Sequence, residues 1–203
     1  QVGGQDTTLP ENVTTEIRKL LKNYKPTEPK TLEDILDFRG KFVPENSDRV
    51  EKIDGEWAFR YVDGLYFYES DVEQFIATKA AAHTMVEYMM QKIGLSMDEI
   101  GKFYLAGAFG THIKIPSGIT IGLYPDIPRE RIVCAGNSSL LGARAIVQDR
   151  ELLEDVRYFV ENTDYIQFGE VANFVDIMSA AQGIPHLDVS RYPSVIAWKE
   201  ERK

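Results

Sequence analysis

The sequence predicts an α/β fold with a smaller α/β extension at its end. Three observations predict it. Short apolar runs at 103–106 and 131–135 each lead straight into a glycine turn. A long helical pattern precedes the first run and another helical pattern follows the second. The 203 residues are 43 % hydrophobic and 27 % charged, which is ordinary for a globular chain with a real core.

The elements follow in order. Asn12 is placed to cap a helix through Ile17, Leu20 and Leu21, which Pro26 and Pro29 stop. Thr31 opens a short helix with Leu32, Ile35 and Leu36 inward, and Gly40 suits its end. Runs at 49–53 and 57–62 flank Asp54-Gly55, a strong hairpin signal. Leu65–Tyr68 reads as a strand. Ser70-Asp71-Val72-Glu73 has the form of a capping box. The helix it opens is expected to reach Ile93 and stop at Gly94. Its apolar stripe is Val72, Phe75, Ile76, Ala82, Val86, Met89, Met90 and Ile93. Ser96-Met97-Asp98-Glu99 repeats the capping logic for a short turn.

Phe103–Ala106 reads as a short buried strand running into Gly107-Ala108-Phe109-Gly110. The second strand, 131–135, runs into Gly136-Asn137-Ser138-Ser139 and a helix through Leu140, Ala143, Ala145 and Val147. Further on come a helix at 151–161, a strand at 165–168, a helix at 173–181 and a break at Gly183-Ile184-Pro185. The charged end, 199–203, is expected to fray. The chain thus divides into leading helices and a hairpin (1–64), an α/β half-domain (65–148) and an extension (149–203).

Composition excludes several classes. The net charge is −9 and the pI about 4.9, so a phosphate backbone is repelled overall and nucleic acid is not an expected partner. The one cysteine, Cys134, cannot form an internal disulfide, which fits a reducing, cytoplasmic setting. Nor can one thiol hold an iron–sulfur cluster, which takes about four ligands. No run approaches the roughly 18 apolar residues of a membrane span. The chain opens on Gln1-Val2-Gly3-Gly4 without a Met. A piece of something longer is therefore expected, with part of a site outside it.

Chemistry is expected first at the glycine turns. A strand ending in Gly107, Ala108, Phe109 and Gly110 lets a ligand approach the backbone, and α/β sheets bind ligands at the carboxyl ends of their strands. Gly136, Asn137 and Ser138 stand ahead of a helix, where free N–H groups attract an anion or a partner, although capping alone accounts for them. Lys79 falls on the apolar stripe of the long helix; its ammonium must snorkel to water or meet an anion. His83, His112 and His186 are far apart and show no metal-ligand spacing, so no metal is expected. Cys134 reads as a small core residue, and Gly142-Ala143 as a close-packing site.

Several blocks carry a family resemblance. They are 77–81, 103–110, Gly122-Leu123-Tyr124-Pro125-Asp126-Ile127-Pro128 and 136–143, with Arg39-Gly40-Lys41-Phe42 ahead of Ser47-Asp48-Arg49-Val50. In order and spacing they resemble the carboxyl-terminal domain of the ATP-dependent reductive activators of corrinoid proteins. That family is similar to the wider acetate-kinase, sugar-kinase, heat-shock and actin superfamily, so the resemblance implies half of an actin-like, ribonuclease-H-like nucleotide-binding fold with a C-terminal α/β extension. The resemblance implies that Gly107, Ala108 and Phe109 line the adenosine side of an ATP cleft, with Gly110 closing the turn, the Gly142-Ala143 helix behind them and Lys79 nearby.

By resemblance, the intact protein uses ATP, with magnesium, to return a cobalt(II) corrinoid of a methyl-transfer system to cobalt(I). It draws electrons through an upstream ferredoxin-like domain. This chain lacks cluster ligands and the acidic strand–glycine–threonine motif that holds phosphates, and Gly3-Gly4-Gln5-Asp6 matches a phosphate motif only faintly. The resemblance therefore implies an activator's back half, inactive alone, with a corrinoid protein as partner. Two rival readings stand beside it: an activator ATPase of the 2-hydroxyacyl-CoA dehydratase type, and a non-enzymatic docking module.

Overall fold

The computed structural model of the chain describes residues 15, 19, 35–165, 167 and 173–201. The helix expected from Asn12, and most of the one expected from Thr31, lie outside these residues. The chain forms two units, Gln1–Ile76 and Ala77–Lys203.

In the first unit, strands β1 (Val50–Ile53), β2 (Glu56–Val62) and β3 (Leu65–Tyr68) form an antiparallel sheet in that order. The hairpin falls where Asp-Gly predicts it. Asp54 and Gly55 have φ of 51° and 90°, the left-handed pair that a two-residue hairpin turn requires. Val50 and Phe42 pack with Ile35 into a small core, against which Trp57, Phe59 and Val72 lie. Glu69 ties the 40s loop down: its carboxylate accepts from the Phe42 N–H at 3.1 Å and from the Lys41 ammonium at 3.0 Å.

Helix α1 (Glu69–Ile93) lends its first turns to this unit and the rest to the second. It ends as expected, with Gly94 at φ 71° and the Leu95 N–H donating to Met90 O. Its start differs from the capping box. Asp71 accepts from the Tyr68 N–H at 3.0 Å, the Ser70 N–H donates to Glu56 at 2.8 Å, and Glu73 is taken by Lys41. Ser96 and Glu99 do form the expected pair: the Ser96 N–H and hydroxyl both donate to the Glu99 carboxylate at 2.8 Å, and the Glu99 N–H donates back to Ser96 O at 3.1 Å.

The second unit is built on two parallel strands, β4 (Phe103–Ala106) and β5 (Ile132–Gly136). The helices around them are α2 (Gly107–His112), α3 (Ile115–Thr120), α4 (Ser138–Gln148), α5 (Leu152–Glu161), α6 (Phe174–Ala181) and α7 (Pro193–Glu200). Leu105, Ile119, Tyr124, Ile127, Ile132, Tyr192 and Val195 make its core. Gly118 is glycine because the Tyr124 ring lies where a Cβ would stand.

The structure corrects several expectations. The buried face of α1 is Ile76, Lys79, Ala80, His83 and Thr84, whereas Met89 and Ile93 of the expected stripe are exposed. The reason is the neighbour: α1 meets main-chain carbonyls and a polar loop, which need donors and acceptors rather than methyl groups. Only Leu105 of β4 is buried; Tyr104 is 62 % exposed. Cys134 is exposed, not core. A Cβ at Gly142 meets nothing within 4 Å, so close packing is not its reason. Tyr165 and Gln167 are not strand. Of the end expected to fray, Lys199 and Glu200 are helical, and 202–203 lie outside the described residues.

Candidate functional site

The parallel register brings the two glycine turns side by side: Ala106 pairs with Gly136 at the carboxyl ends of β4 and β5. Both turns depend on a left-handed glycine, with Gly107 at φ 76° and Gly136 at φ 61°. At each, an added Cβ would meet nothing within 4 Å, so open space lies over the backbone. At Gly110 it would stand 2.6 Å from Leu105 O, so this position has no room for a side chain. The Thr111 hydroxyl donates to Gly107 O at 3.0 Å and steadies α2. Asn137 caps α4, its Oδ1 accepting from the Leu140 N–H at 3.0 Å. Ala108 and Ser138 are exposed beside these turns. His112, at the end of α2, is exposed as well.

Lys79 is engaged elsewhere. It is 1 % exposed, so it does not snorkel to solvent. Its ammonium donates to Gly183 O and, at 2.7 Å, to Pro185 O. Gly122 approaches the same point, where a Cβ would overlap Pro185 O. Burial pushes the amine down to about 8. The two carbonyl acceptors favour the charged form against that push.

One turn along α1 lies a cluster that the sequence reading missed. His83 Nε2 stands 3.2 Å from Glu87 Oε2, and the His83 and His186 rings lie 5.1 Å apart. Arg191 donates to the same Glu87 oxygen at 2.8 Å, and the Tyr192 hydroxyl is 3.5 Å from His83 Nδ1. His186 Nδ1 accepts from the Asp188 N–H at 3.0 Å. Burial, then His186 and Arg191, push His83 down to about 4. Burial and Arg191 lower His186 too. For Glu87, burial works upward, but Arg191 and His83 overcome it and hold the carboxyl low. Burial raises the Tyr192 phenol. A signal was available: His83 and Glu87 are four apart on a helix, contrary to the expectation of no ligand spacing. His186 is more than a hundred residues further on, and only the fold brings it in.

Two parallel strands that end in glycine turns opening onto helices make this an α/β half-domain, and sequence comparison supplies its class. The family model described as the C-terminal domain of RACo, the ASKHA domain, matches residues 29–196, and the chain belongs to that family. Among solved structures it is similar to a "Reductive activator for corrinoid,iron-sulfur protein", with 29 % identity and a TM-score of 0.72. The match covers 79 % of this chain and 27 % of that one, so the chain spans about a quarter of its relative's length. No curated protein matches. Among the described residues, no helix is long and apolar enough to cross a membrane.

Proposed function

We propose that this chain is the carboxyl-terminal part of an ATP-dependent reductive activator that returns a corrinoid protein of a methyl-transfer system from cobalt(II) to cobalt(I). The observation that carries the reading is the pairing of Ala106 with Gly136, which sets two open glycine turns at one sheet edge. Backbone there fits the adenosine of a nucleotide, since among the described residues nothing stands within 4 Å of a Cβ added at Gly107 or Gly136. Gly107, Ala108, Phe109 and Gly110 would line that group, while Gly136, Asn137 and Ser138 would face an anion or the partner. Lys79, held on the Gly183 and Pro185 carbonyls, takes a structural role away from these turns. ATP with magnesium, when bound, supplies the free energy for the uphill electron transfer. Electrons enter through an upstream ferredoxin-like domain, and the setting is the cytoplasm. This chain alone binds ATP weakly and does not reduce the corrinoid.

The test is an amide NMR titration of the chain with magnesium–ATP. Expected are shifts confined to 107–111 and 136–140, saturating near millimolar, about −4 kcal/mol. Shifts centred elsewhere, or none at ~10 mM, would overturn the nucleotide reading. Mixing the chain with a cobalt(II) corrinoid protein, ATP and a low-potential reductant should yield no faster cobalt(I) formation than a control without it.

A further inference from the structure

Helix α1 and the loop ahead of α7 bring three metal-ligating side chains to one point. His83 and Glu87 share a face of α1, and His186 enters from the loop. Each offers a donor atom, and no two of these atoms are more than 4.8 Å apart. Around a tetrahedral ion with bonds of roughly 2.0–2.2 Å, ligand atoms sit about 3.3–3.6 Å apart. The His83–Glu87 pair, at 3.2 Å, already has that spacing. His186 needs to move by no more than the order of an ångström.

A cation already sits there, and it fits badly. Arg191 Nη1 is 2.8 Å from Glu87 Oε2 but also 3.5 Å from His186 Nε2. His186 Nδ1 accepts from the Asp188 N–H, so in the neutral ring the proton is on Nε2 and faces another donor. The guanidinium serves the carboxylate and opposes the imidazole.

We propose that His83, Glu87 and His186 form a site for a divalent transition metal of the zinc class, which takes the place of the Arg191 guanidinium. Two imidazoles and a carboxylate are a zinc donor set that leaves a coordination position open. Two of the three, His83 and Glu87, line a cleft of about 520 Å³ together with Asp98 and Arg191. Coordination through Nε2 moves each ring's proton to Nδ1. At His83 the Tyr192 hydroxyl oxygen is in place to accept it, the outer partner that ligating histidines usually have. At His186 the Asp188 N–H loses its acceptor. Asp98, on the cleft wall, offers the displaced guanidinium a new carboxylate. None of this rests on the nucleotide reading.

The test is calorimetric titration of the metal-free chain with zinc, with cobalt(II) absorption as the spectroscopic check. The wild type should take up one ion per chain with micromolar affinity. Arg191→Ala should bind at least about tenfold tighter, and Glu87→Gln, which keeps the side-chain shape, about 10- to 100-fold weaker. His112→Ala, at an exposed histidine, should bind like wild type. Zinc should speed exchange of the Asp188 amide. Absence of one-to-one uptake by the wild type, uptake only by Arg191→Ala, undiminished uptake by Glu87→Gln, or loss in His112→Ala would each overturn the proposal.

Discussion

Asp126 holds Ser194 twice: its carboxylate accepts from the Ser194 N–H at 2.7 Å and from the Ser194 hydroxyl at 2.6 Å. Arg129 adds an ion pair at 3.0 Å, and the Asp126 side chain is 3 % exposed. The contact satisfies an N–H in the first turn of α7 and sets a negative charge at that helix's positive end. It joins the Pro125–Pro128 loop, part of the family resemblance, to the last helix. Asp126→Ala should therefore cost about 1–3 kcal/mol, since it leaves the Ser194 N–H without its acceptor and removes the charge at the start of α7. Urea unfolding followed by circular dichroism measures it; a loss under ~0.5 kcal/mol would mean that other contacts hold α7.

Gly110 and Gly142 should respond in opposite directions. At Gly110 a Cβ would stand 2.6 Å from Leu105 O and 2.9 Å from Leu105 Cβ, so Gly110→Ala must push α2 away from β4. At Gly142, inside α4, a Cβ meets nothing within 4 Å. Gly142→Ala should therefore stabilise by about 0.5–1 kcal/mol through helix propensity and a less flexible unfolded chain. Thermal melts of both variants check the contrast. A stabilised Gly110→Ala would contradict the tight α2–β4 contact.

Asn137→Ala should cost about 1 kcal/mol, because the side chain accepts from Leu140 N–H at the start of α4. Asn137→Asp should keep the cap. If the alanine variant loses stability but keeps its NMR response to ATP, Asn137 is a cap and nothing more.

Local chemistry made much of this fold legible. Asp54-Gly55 marks the hairpin because few other pairs accept two positive φ values, and Gly94 marks the end of α1 for the same reason. The glycine turns after β4 and β5 could be read as a possible site because short apolar runs stop there, and their pairing follows once the strands are parallel. Burial was less legible. Periodicity shows that α4 has an apolar face but not what covers it, and Leu140, Leu141 and Val147 are exposed. On α1, the apolar stripe lost to Lys79 and His83, whose partners come from residues 183–192. That contact is set by tertiary structure, so a helical wheel could not show it.

Lys79 allows a pH test with a defined sign. The amine is buried against Gly183 and Pro185 carbonyls and its pKa falls from 10.5 to about 8. Between those values the unfolded chain binds more protons than the folded one. Stability therefore rises with pH across that window, and falls as pH drops toward 8. Lys79→Met removes both the charge and the donors, leaving two carbonyls unpaired, and should cost about 2–4 kcal/mol near pH 9. The gap between wild type and variant should widen from pH 8 to pH 10, by up to about 3 kcal/mol. Other titrating groups cancel in that difference. Denaturant unfolding of both proteins across the range measures it. A constant gap across the range would mean that the carbonyl contacts keep the ammonium charged throughout and that its pKa is not lowered.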